Sequence, residues 1–310
     1  EIMLQQTRVE TGIPKWHAFR ERFPDVHTLA LASEEQVMKS WEGLGYYRRA
    51  RLLHKAAKAI HDMGDFPESH AGWLALPGIG PYTAAAIASI GLGEPVAAVD
   101  GNVQRVLSRW DGIAEPVDAK IGAARIQAAA DALLDHDHPG DHNQAVMELG
   151  ALVCAPRNPA CETCPLSDTC NSAGDPVLWS RLPVKTPKKK PQAWNLTWHV
   201  VTHGDRVAVM QRPATGVWAT MWCFPENPPP DTFAEVGELC DPVTHILTHK
   251  RITATFKHWQ APDAGALDAF AREEEGQALA WTEFEARARP RLLTKIWKAL
   301  LRANPHREVE

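Results

Sequence analysis

Four of the six cysteines in the chain are crowded into one short segment, spaced Cys154-x6-Cys161-x2-Cys164-x5-Cys170. Crowding of this kind in a cysteine-poor chain indicates a metal site in a reducing compartment rather than a disulfide framework. Structural zinc sites usually show two close cysteine pairs, whereas this segment has one close pair and two outliers. Four cysteines also ligate 4Fe–4S clusters, so the spacing favours an iron–sulfur cluster and leaves zinc as the alternative.

A glycine-rich segment at 76–83 reads Leu-Pro-Gly-Ile-Gly-Pro-Tyr-Thr. Gly78 and Gly80 permit a sharp turn and close backbone approach, and Pro81 suits the first position of a helix. We predict a helix ending near residue 76, a glycine hairpin, and a second helix over 84–90. Backbone N–H groups at such a helix start bind phosphate. An ordinary turn between helices is the alternative.

A single carboxylate stands out in the segment 99–103, Val-Asp-Gly-Asn-Val. Asp100 precedes a predicted helix, where aspartate commonly caps the first turn. From the residues alone we therefore interpret Asp100 as a structural cap, the more common role of aspartate at this position.

A second glycine-rich segment, 43–47, reads Gly-Leu-Gly-Tyr-Tyr and is followed by Arg48, Arg49 and Arg51. Aromatic rings can wedge between bases while arginines hold phosphates. The alternative is a helix start with a core aromatic pair, and the residues alone leave both open.

Composition limits the possible classes of protein. With 310 residues, the chain is long enough for two ordinary domains. Its residues are 45% hydrophobic, which is typical of a globular protein, and its formal net charge is −5. Any nucleic-acid contact must therefore come from a local basic face. No apolar run of membrane-spanning length and no secretory leader is visible. The chain opens at Glu1-Ile2-Met3 in a helix-like pattern, and we expect a preceding segment to be missing.

The chain changes character after residue 178. Prolines and lysines over 179–193 predict an extended linker, which would favour a nearby polyanion or serve only as a solvated tether. Beyond it, alternating segments at 194–202 and 206–212 around a His-Gly-Asp turn predict a β-hairpin. Further strands are predicted at 218–224 and 252–258, and helices at 233–239 and 290–303. We predict a separate mixed α/β domain.

In combination these motifs, with Glu-x2-Leu-Gln-Gln-Thr at 1–7, closely resemble the MutY family of adenine DNA glycosylases, within the endonuclease III superfamily. The resemblance covers nearly the whole chain. It implies a multi-domain protein: an all-α helix-hairpin-helix glycosylase domain with an iron–sulfur cluster loop over 1–178, with the helix-hairpin-helix at about 72–90. It also implies that the linker at 179–193 leads to a C-terminal α/β MutT-like (Nudix-fold) domain at 194–310.

The same resemblance assigns catalytic roles. Glu1 matches the acid that protonates the leaving adenine at N7 and later helps a water. Asp100 matches the carboxylate that stabilises the cationic sugar, with Asn102 and Tyr82 as hydrogen-bonding supports. Related lyases carry at position 82 a lysine that forms a Schiff base. Tyr82 cannot do so, which implies a monofunctional glycosylase acting on a flipped base.

Contacts to DNA are implied for four regions. Gln6 and Tyr46 match residues that fill or wedge the helix around the opposing base, and Gly78 and Gly80 match a backbone phosphate clamp. The full set of implied DNA-binding residues is Gln5, Gln6, Thr7, Gly43, Leu44, Gly45, Tyr46, Tyr47, Gly78, Gly80, Thr83, Leu247, Thr248 and His249.

The second domain departs from the MutT pattern. A working Nudix hydrolase needs G-x5-E-x7-R-E-x2-E-E, whereas only the run 272–275, Arg-Glu-Glu-Glu, is found. We therefore expect no pyrophosphatase activity. The family senses 8-oxoguanine with a Phe-Ser-His loop. Leu247, Thr248 and His249 retain the hydroxyl and imidazole but lose the aromatic ring, and we expect recognition to persist without it.

The expected partner is double-stranded DNA containing adenine opposite 8-oxoguanine or guanine, bound by a monomer without membrane contact. The expected location is the bacterial-type cytoplasm, near the nucleoid. Two alternatives stay open: an endonuclease III-like lyase acting on oxidised pyrimidines, and a DNA-binding iron–sulfur protein without catalysis. The second would follow if Glu1 were truly terminal, because its α-ammonium would favour the ionised carboxylate over the proton donor.

Overall fold

The computed structural model describes residues 2–5, 7–187 and 190–301. Glu1 and Gln6 lie outside the described residues, as does the end of the chain beyond 301. The described residues fall into two compact units. The first holds Ile2 and 55–187, and the second holds 3–5, 7–54 and 190–301. The predicted domain bounds at 178 and 194 stay a prediction.

Helices dominate the described part of the chain up to residue 181. They are α1 (Val9–Arg22), α2 (Val26–Leu31), α3 (Glu34–Ser40), α4 (Arg48–Met63), α5 (His70–Leu74), α6 (Pro81–Leu92), α7 (Gly101–Trp110), α8 (Lys120–Leu133), α9 (Pro139–Glu148) and α10 (Pro176–Arg181). A π-helical turn, Leu149–Val153, and two short 3-10 turns, Cys161–Thr163 and Ser167–Thr169, lie between α9 and α10.

The core of the first unit forms between α7, α8 and their neighbours. Val103 and Leu107 on α7 pack with Ile126 on α8 and with Ile113 between the two helices. Each is at most 3% exposed, and complete burial of such a side chain is worth about 1.5–3 kcal/mol. This packing fixes α7, whose N-terminal end carries Asp100.

The predicted helix-hairpin-helix is present. Helix α5 ends at Leu74 and α6 begins at Pro81, with Gly80 as its N-cap. Gly78 adopts a φ of 79°, the left-handed conformation that glycine tolerates best. The hairpin therefore forms where the sequence predicts it.

The second unit contains a mixed sheet in the described residues. Its strands are β1 (Gln192–His203), β2 (Arg206–Gln211), β3 (Trp222–Cys223), β4 (Ala234–Glu238), β5 (Val243–Ile246), β6 (Lys250–Gln260) and β7 (Gly276–Ala280). β1 pairs in parallel with β6, and β2 pairs with β1, β3 and β7. β4 and β5 lie in tandem along the other edge of β6.

Besides the helices that this unit contains before residue 55, four more lie among and after the strands: α11 (Ala264–Glu273), α12 (Trp281–Ala286), α13 (Arg291–Lys295) and α14 (Trp297–Leu301). Leu267 and Phe270 of α11 pack against Val201 and Ala208 of the sheet. Within the described ranges, none of the helices has both the length and the apolar character needed to cross a membrane.

The predicted helix at 233–239 is wrong, since residues 234–238 form β4. Phe233, Val236 and Leu239 have the three-residue spacing of a helix. Pairing with β6 prevails instead, and a bulge between Glu235 and Gly237 absorbs the irregular register. The predicted helix at 290–303 is divided into α13 and α14.

Candidate active site and cysteine loop

Asp100 is the N-cap of α7, and both of its carboxylate oxygens are engaged. Oδ1 accepts from the backbone N–H groups of Asn102 at 2.8 Å and Val103 at 2.7 Å. Oδ2 accepts from the side-chain amide of Asn102 at 2.9 Å. Three donors at a helix N-terminus orient the carboxylate. The cap and the candidate catalytic carboxylate are thus the same feature.

Asn102 links this carboxylate to an arginine one turn further along α7. Its amide nitrogen donates to Asp100, while its amide oxygen accepts from Arg105 Nη2 at 2.9 Å. An arginine can only donate hydrogen bonds, so the Asn102 atom that faces Arg105 must be the amide oxygen, and the amide nitrogen then faces Asp100. Arg105 therefore fixes which way the Asn102 amide faces.

Arg105 also binds the backbone of the cysteine region. Its Nε donates to the Cys154 carbonyl at 2.7 Å, and its Nη2 donates to the Gly150 carbonyl at 2.6 Å. Gly150 lies so near α7 that a Cβ there would approach the Asn102 Cβ to 2.6 Å. Burial lowers the pKa of Arg105, opposed by the nearby Cys154 and Asp100. One continuous chain of hydrogen bonds thus runs from Asp100 to the cysteine loop.

Arg109, one turn after Arg105, is buried inside the cysteine loop. Its Nη1 donates to Cys154 Sγ at 3.3 Å and to the Ala155 carbonyl at 2.8 Å. Its guanidinium lies 5.6 Å from the centroid of the Trp179 ring. Arg109 is 3% exposed, so a buried positive charge lies beside the Cys154 sulfur.

The four clustered cysteines line one cavity of about 330 Å³, counting the space at its open mouth. Burial and the other three cysteines raise the pKa of the Cys170 thiol. In the described ranges, no three His, Cys, Asp or Glu side chains are grouped as for one metal ion. A four-iron cluster takes one thiolate per iron, so it needs sulfurs arranged around a cage. Cys154, Cys161, Cys164 and Cys170 fit that requirement.

Tyr82 lies in the first turn of α6 and is partly buried. Its hydroxyl donates to the sulfur of Met147 at 3.4 Å. The neighbouring Thr83 is 3% exposed and is therefore buried within the first unit. Tyr82, Asp100, Asn102 and the four cysteines all belong to the first unit.

The glycine-rich segment 43–47 belongs to the second unit. Leu44 and Tyr47 are buried at 4% and 6% exposure, whereas Tyr46 is 52% exposed. Among the predicted aromatic pair, Tyr46 alone therefore presents its ring outward. Gly43, Gly45 and Tyr46 all have positive φ values, of 95°, 71° and 48°.

The N-terminal candidates divide between described and undescribed residues. Thr7 Oγ1 accepts from Arg49 Nη2 at 3.2 Å, and the Met3 carbonyl accepts from Arg49 Nη1 at 3.0 Å. Gln5 is half-buried. The roles predicted for Glu1 and Gln6 lie outside the described residues and stay predictions.

Leu247, Thr248 and His249 form the turn between β5 and β6. The Leu247 N–H donates to the Lys250 carbonyl at 2.8 Å, which closes the turn. Thr248 and His249 are exposed and Leu247 is half-buried. The hydroxyl and imidazole are thus accessible to a ligand.

The run 272–275 marks the end of α11, and Glu274 accepts from the Asn227 side chain at 3.0 and 3.1 Å.

The predictions from sequence missed Arg105 and Arg109. Their i, i+4 spacing after the Asp-Gly-Asn motif was a readable signal, but burial of Arg109 depends on contacts with residues 154–182.

The fold and the capped carboxylate define a class of protein. Residues 1–143 match the HhH-GPD superfamily of base excision DNA repair proteins, and residues 197–299 match the NUDIX domain. A solved structure of a thermostable thymine-DNA glycosylase is similar, with a TM-score of 0.50 and 27% identity, covering 55% of this chain and 79% of that one. The predicted fold class is confirmed.

The curated relatives narrow this class of proteins to one family. The chain is 36% identical to the adenine DNA glycosylase of Buchnera aphidicola subsp. Baizongia pistaciae over 73% of its own length and 64% of that protein. It is 32% identical to the Homo sapiens adenine DNA glycosylase, in an alignment that covers 83% of this chain and 58% of the human protein. It is 30% identical to the Mus musculus adenine DNA glycosylase, in an alignment that covers 96% of this chain and 70% of the mouse protein.

The chain belongs to the adenine DNA glycosylase family, which confirms the resemblance found in the sequence. It spans less than two thirds of the length of the Buchnera and human relatives.

Proposed function

We propose that the chain is a monofunctional DNA glycosylase that removes adenine opposite 8-oxoguanine or guanine in base excision repair. The observation that carries this proposal is the Asp100 carboxylate, held by three hydrogen bonds at the start of α7 in a chain of this family. An anion oriented before the reaction is suited to stabilise a developing cation without reorganisation.

The reaction breaks the bond between the sugar C1′ and the adenine N9. In this proposal Glu1 gives a proton to adenine N7, so that the bonding electron pair leaves with a neutral base. Asp100 then opposes the positive charge that spreads over C1′ and the ring oxygen. Water adds to C1′ and gives its proton to the Glu1 carboxylate, which leaves an abasic sugar and restores the acid. Asn102 keeps the Asp100 carboxylate in place during these steps.

Tyr82 occupies the position where the related lyases carry an amine nucleophile. A phenol hydrogen-bonded to Met147 has no nitrogen with which to form a Schiff base. For this reason we propose excision without strand cleavage, rather than a lyase acting on oxidised pyrimidines.

The cofactor in this proposal is a 4Fe–4S cluster held by Cys154, Cys161, Cys164 and Cys170. When bound, it would cross-link the cysteine loop at four points through iron–thiolate bonds, and metal binding of this kind contributes folding free energy. Arg109 would balance part of the negative charge of the thiolates. Arg105 would hold the loop backbone against α7.

Recognition of the opposing base is proposed for the turn 247–249. The Thr248 hydroxyl and the His249 imidazole can donate to or accept from the edge of 8-oxoguanine. Leu247 can supply apolar contact but no stacking ring. We also propose that the protein acts as a monomer on double-stranded DNA in the cytoplasm, close to the nucleoid.

The deciding experiment uses duplexes with adenine opposite 8-oxoguanine, guanine or thymine, incubated with the chain and divided into samples with and without alkali. We expect breaks at the adenine site only after alkali, for the first two duplexes. Borohydride should trap no covalent adduct. Breakage without alkali, or an efficient adduct, would show a lyase, and binding without any excision would show a non-catalytic DNA-binding protein.

A further inference from the structure

The segment Gly43–Tyr46, here called the tyrosine loop, is flanked by two residues that both form hydrogen bonds with Arg289, which is distant in the sequence. Glu42 precedes the loop and Tyr47 follows it. We propose that Arg289 holds both ends of the tyrosine loop and thereby sets the position of the exposed Tyr46 ring toward DNA. Arg289 is in this view a positioning residue, and the inference rests on the proposed function.

The first end of the loop is held through a carboxylate. Glu42 Oε1 accepts from Arg289 Nη2 at 3.3 Å and from Thr294 Oγ1 at 3.4 Å. Glu42 Oε2 accepts from Lys39 Nζ at 2.5 Å. The side chain of Glu42 is 13% exposed and that of Arg289 is 7% exposed. Ion pairs that are shielded to this degree are screened much less than surface pairs.

The second end is held through a neutral hydrogen bond. The Tyr47 hydroxyl donates to the Arg289 backbone carbonyl at 3.2 Å, across 242 positions of sequence. Burial raises the pKa of the Tyr47 phenol, so the group stays protonated and able to donate. The side chain and the backbone of one residue therefore hold Glu42 and Tyr47 together.

Arg289 is itself rigidly placed. Its guanidinium lies 3.7 Å from the centroid of the Trp297 ring and 5.6 Å from that of Phe284. Of its three nitrogens, Nη2 reaches Glu42, while within the described ranges Nε and Nη1 are buried without a hydrogen-bond partner. The stacked aromatic rings thus direct the charge of Arg289 toward the loop.

The tyrosine loop needs such support because its backbone is unusual. Tyr46 has a φ of 48°, a conformation that a residue with a side chain adopts only where its surroundings enforce it. With both flanking residues fixed, the loop can turn in few ways, and the Tyr46 ring is directed outward at 52% exposure. An exposed ring beside the exposed Arg48 suits wedging between bases with a phosphate nearby.

A matched control lies two residues before Arg289 in the sequence. Arg287 donates through Nη1 to both oxygens of Glu35 at 2.9 Å, and its guanidinium lies 5.0 Å from the Trp222 ring. It therefore joins the same two parts of the chain by an arginine–carboxylate pair on an aromatic ring. Its partner Glu35 lies seven residues before Glu42, away from the tyrosine loop.

The test compares Tyr47→Phe and Arg289→Lys with Arg287→Lys. The probe is 2-aminopurine placed beside 8-oxoguanine in a duplex, whose fluorescence rises when the stack opens. We expect Tyr47→Phe and Arg289→Lys to reduce that rise and to slow single-turnover adenine excision about fivefold, the equivalent of one hydrogen bond. In the Arg287→Lys variant, which weakens an ion pair in the same way, the fluorescence rise and the excision rate should stay within about twofold of those of the parent protein.

A double-mutant cycle separates positioning from general stabilisation. If Tyr47 acts through Tyr46, Tyr47→Phe should have no further effect in the Tyr46→Ala chain. Equal additional losses in that chain, or equal effects of Arg287→Lys and Arg289→Lys, would overturn the proposal. A chain that opens the stack but excises no adenine would refute only the proposed function, and one that never opens the stack would refute this inference.

Discussion

The side-chain amide of Asn102 donates to Asp100 Oδ2 at 2.9 Å, so the candidate catalytic carboxylate is held by a neighbour two residues away. The amide is held in turn by Arg105, which also binds the carbonyls of Gly150 and Cys154. A carboxylate at a helix cap would otherwise be restrained only by backbone donors. This additional restraint connects its position to that of the cysteine loop.

Asp100→Asn should abolish most excision and leave DNA binding intact. The amide keeps an oxygen for the backbone donors of α7 but removes the negative charge. We expect a loss of at least about 10²-fold in single-turnover excision, the size seen when one oriented electrostatic group is removed. Asp175→Asn is the control, since Asp175 caps α10 in the same way, with bonds of 2.8 and 3.1 Å. Retention of more than a tenth of the activity by Asp100→Asn would contradict the assignment.

Arg105→Lys should slow excision about tenfold, although Arg105 is assigned no contact with DNA. One ammonium cannot match the forked geometry with which the guanidinium reaches three acceptors. The Asn102 amide is then less well oriented, and hydrogen bonding to the Cys154 carbonyl is weakened. The measurement is single-turnover excision together with iron content. Arg125→Lys, which changes an exposed pair with Glu115, should alter neither quantity.

Anaerobically purified protein should contain about four irons per chain. Cys161→Ser should lower the iron content and the thermal stability, because a thiolate bond is lost from the cysteine loop. Cys240→Ser is the control, since Cys240 is outside the loop in the second unit. About one zinc per chain and no iron would refute the cluster and favour the alternative reading of the spacing.

Thr248→Ala and His249→Ala should each reduce the preference for 8-oxoguanine over guanine about fivefold, as expected for one hydrogen bond. The quantity to measure is the ratio of excision rates on the two duplexes. Thr244→Ala is the matched control, an exposed threonine on β5 that precedes the turn. Unchanged ratios in both variants would remove the turn 247–249 from base recognition. Leu247→Phe should increase the ratio by adding a stacking ring.

Acid should weaken the second unit through three histidines that are buried or half-buried in it. Burial lowers the pKa of His199, His245 and His258, whereas in the unfolded chain it returns to about 6.5. Below that value the unfolded chain binds protons that the folded chain does not. Stability should therefore fall as pH drops from about 7 toward the folded pKa values.

His258→Gln isolates one contribution to this acid sensitivity. Its amide can still bond Thr202 Oγ1, which lies 2.9 Å from His258 Nε2, but it cannot take up a proton. In urea unfolding followed by tryptophan fluorescence, the variant should lose less stability than the parent between about pH 8 and pH 5.5. Parallel curves for the two proteins would show that His258 does not contribute.

The sequence by itself determined features that depend on neighbours close along the chain. The hairpin at 76–81 and the cap at Asp100 are closed by bonds within a few residues, so residue type and spacing specify them. Local spacing failed at 233–239, because pairing with the distant β6 outweighed a helical pattern.

The tertiary structure decided what depends on distant partners. The sequence left the aromatic pair at 46 and 47 open between core and interface, and packing divided it: Tyr47 binds the Arg289 carbonyl 242 positions away, and Tyr46 stays exposed. Burial of Arg109 similarly requires the carbonyls of Trp179 and Leu182. A buried charge is tolerated only where such partners converge, and that convergence is a property of the folded chain.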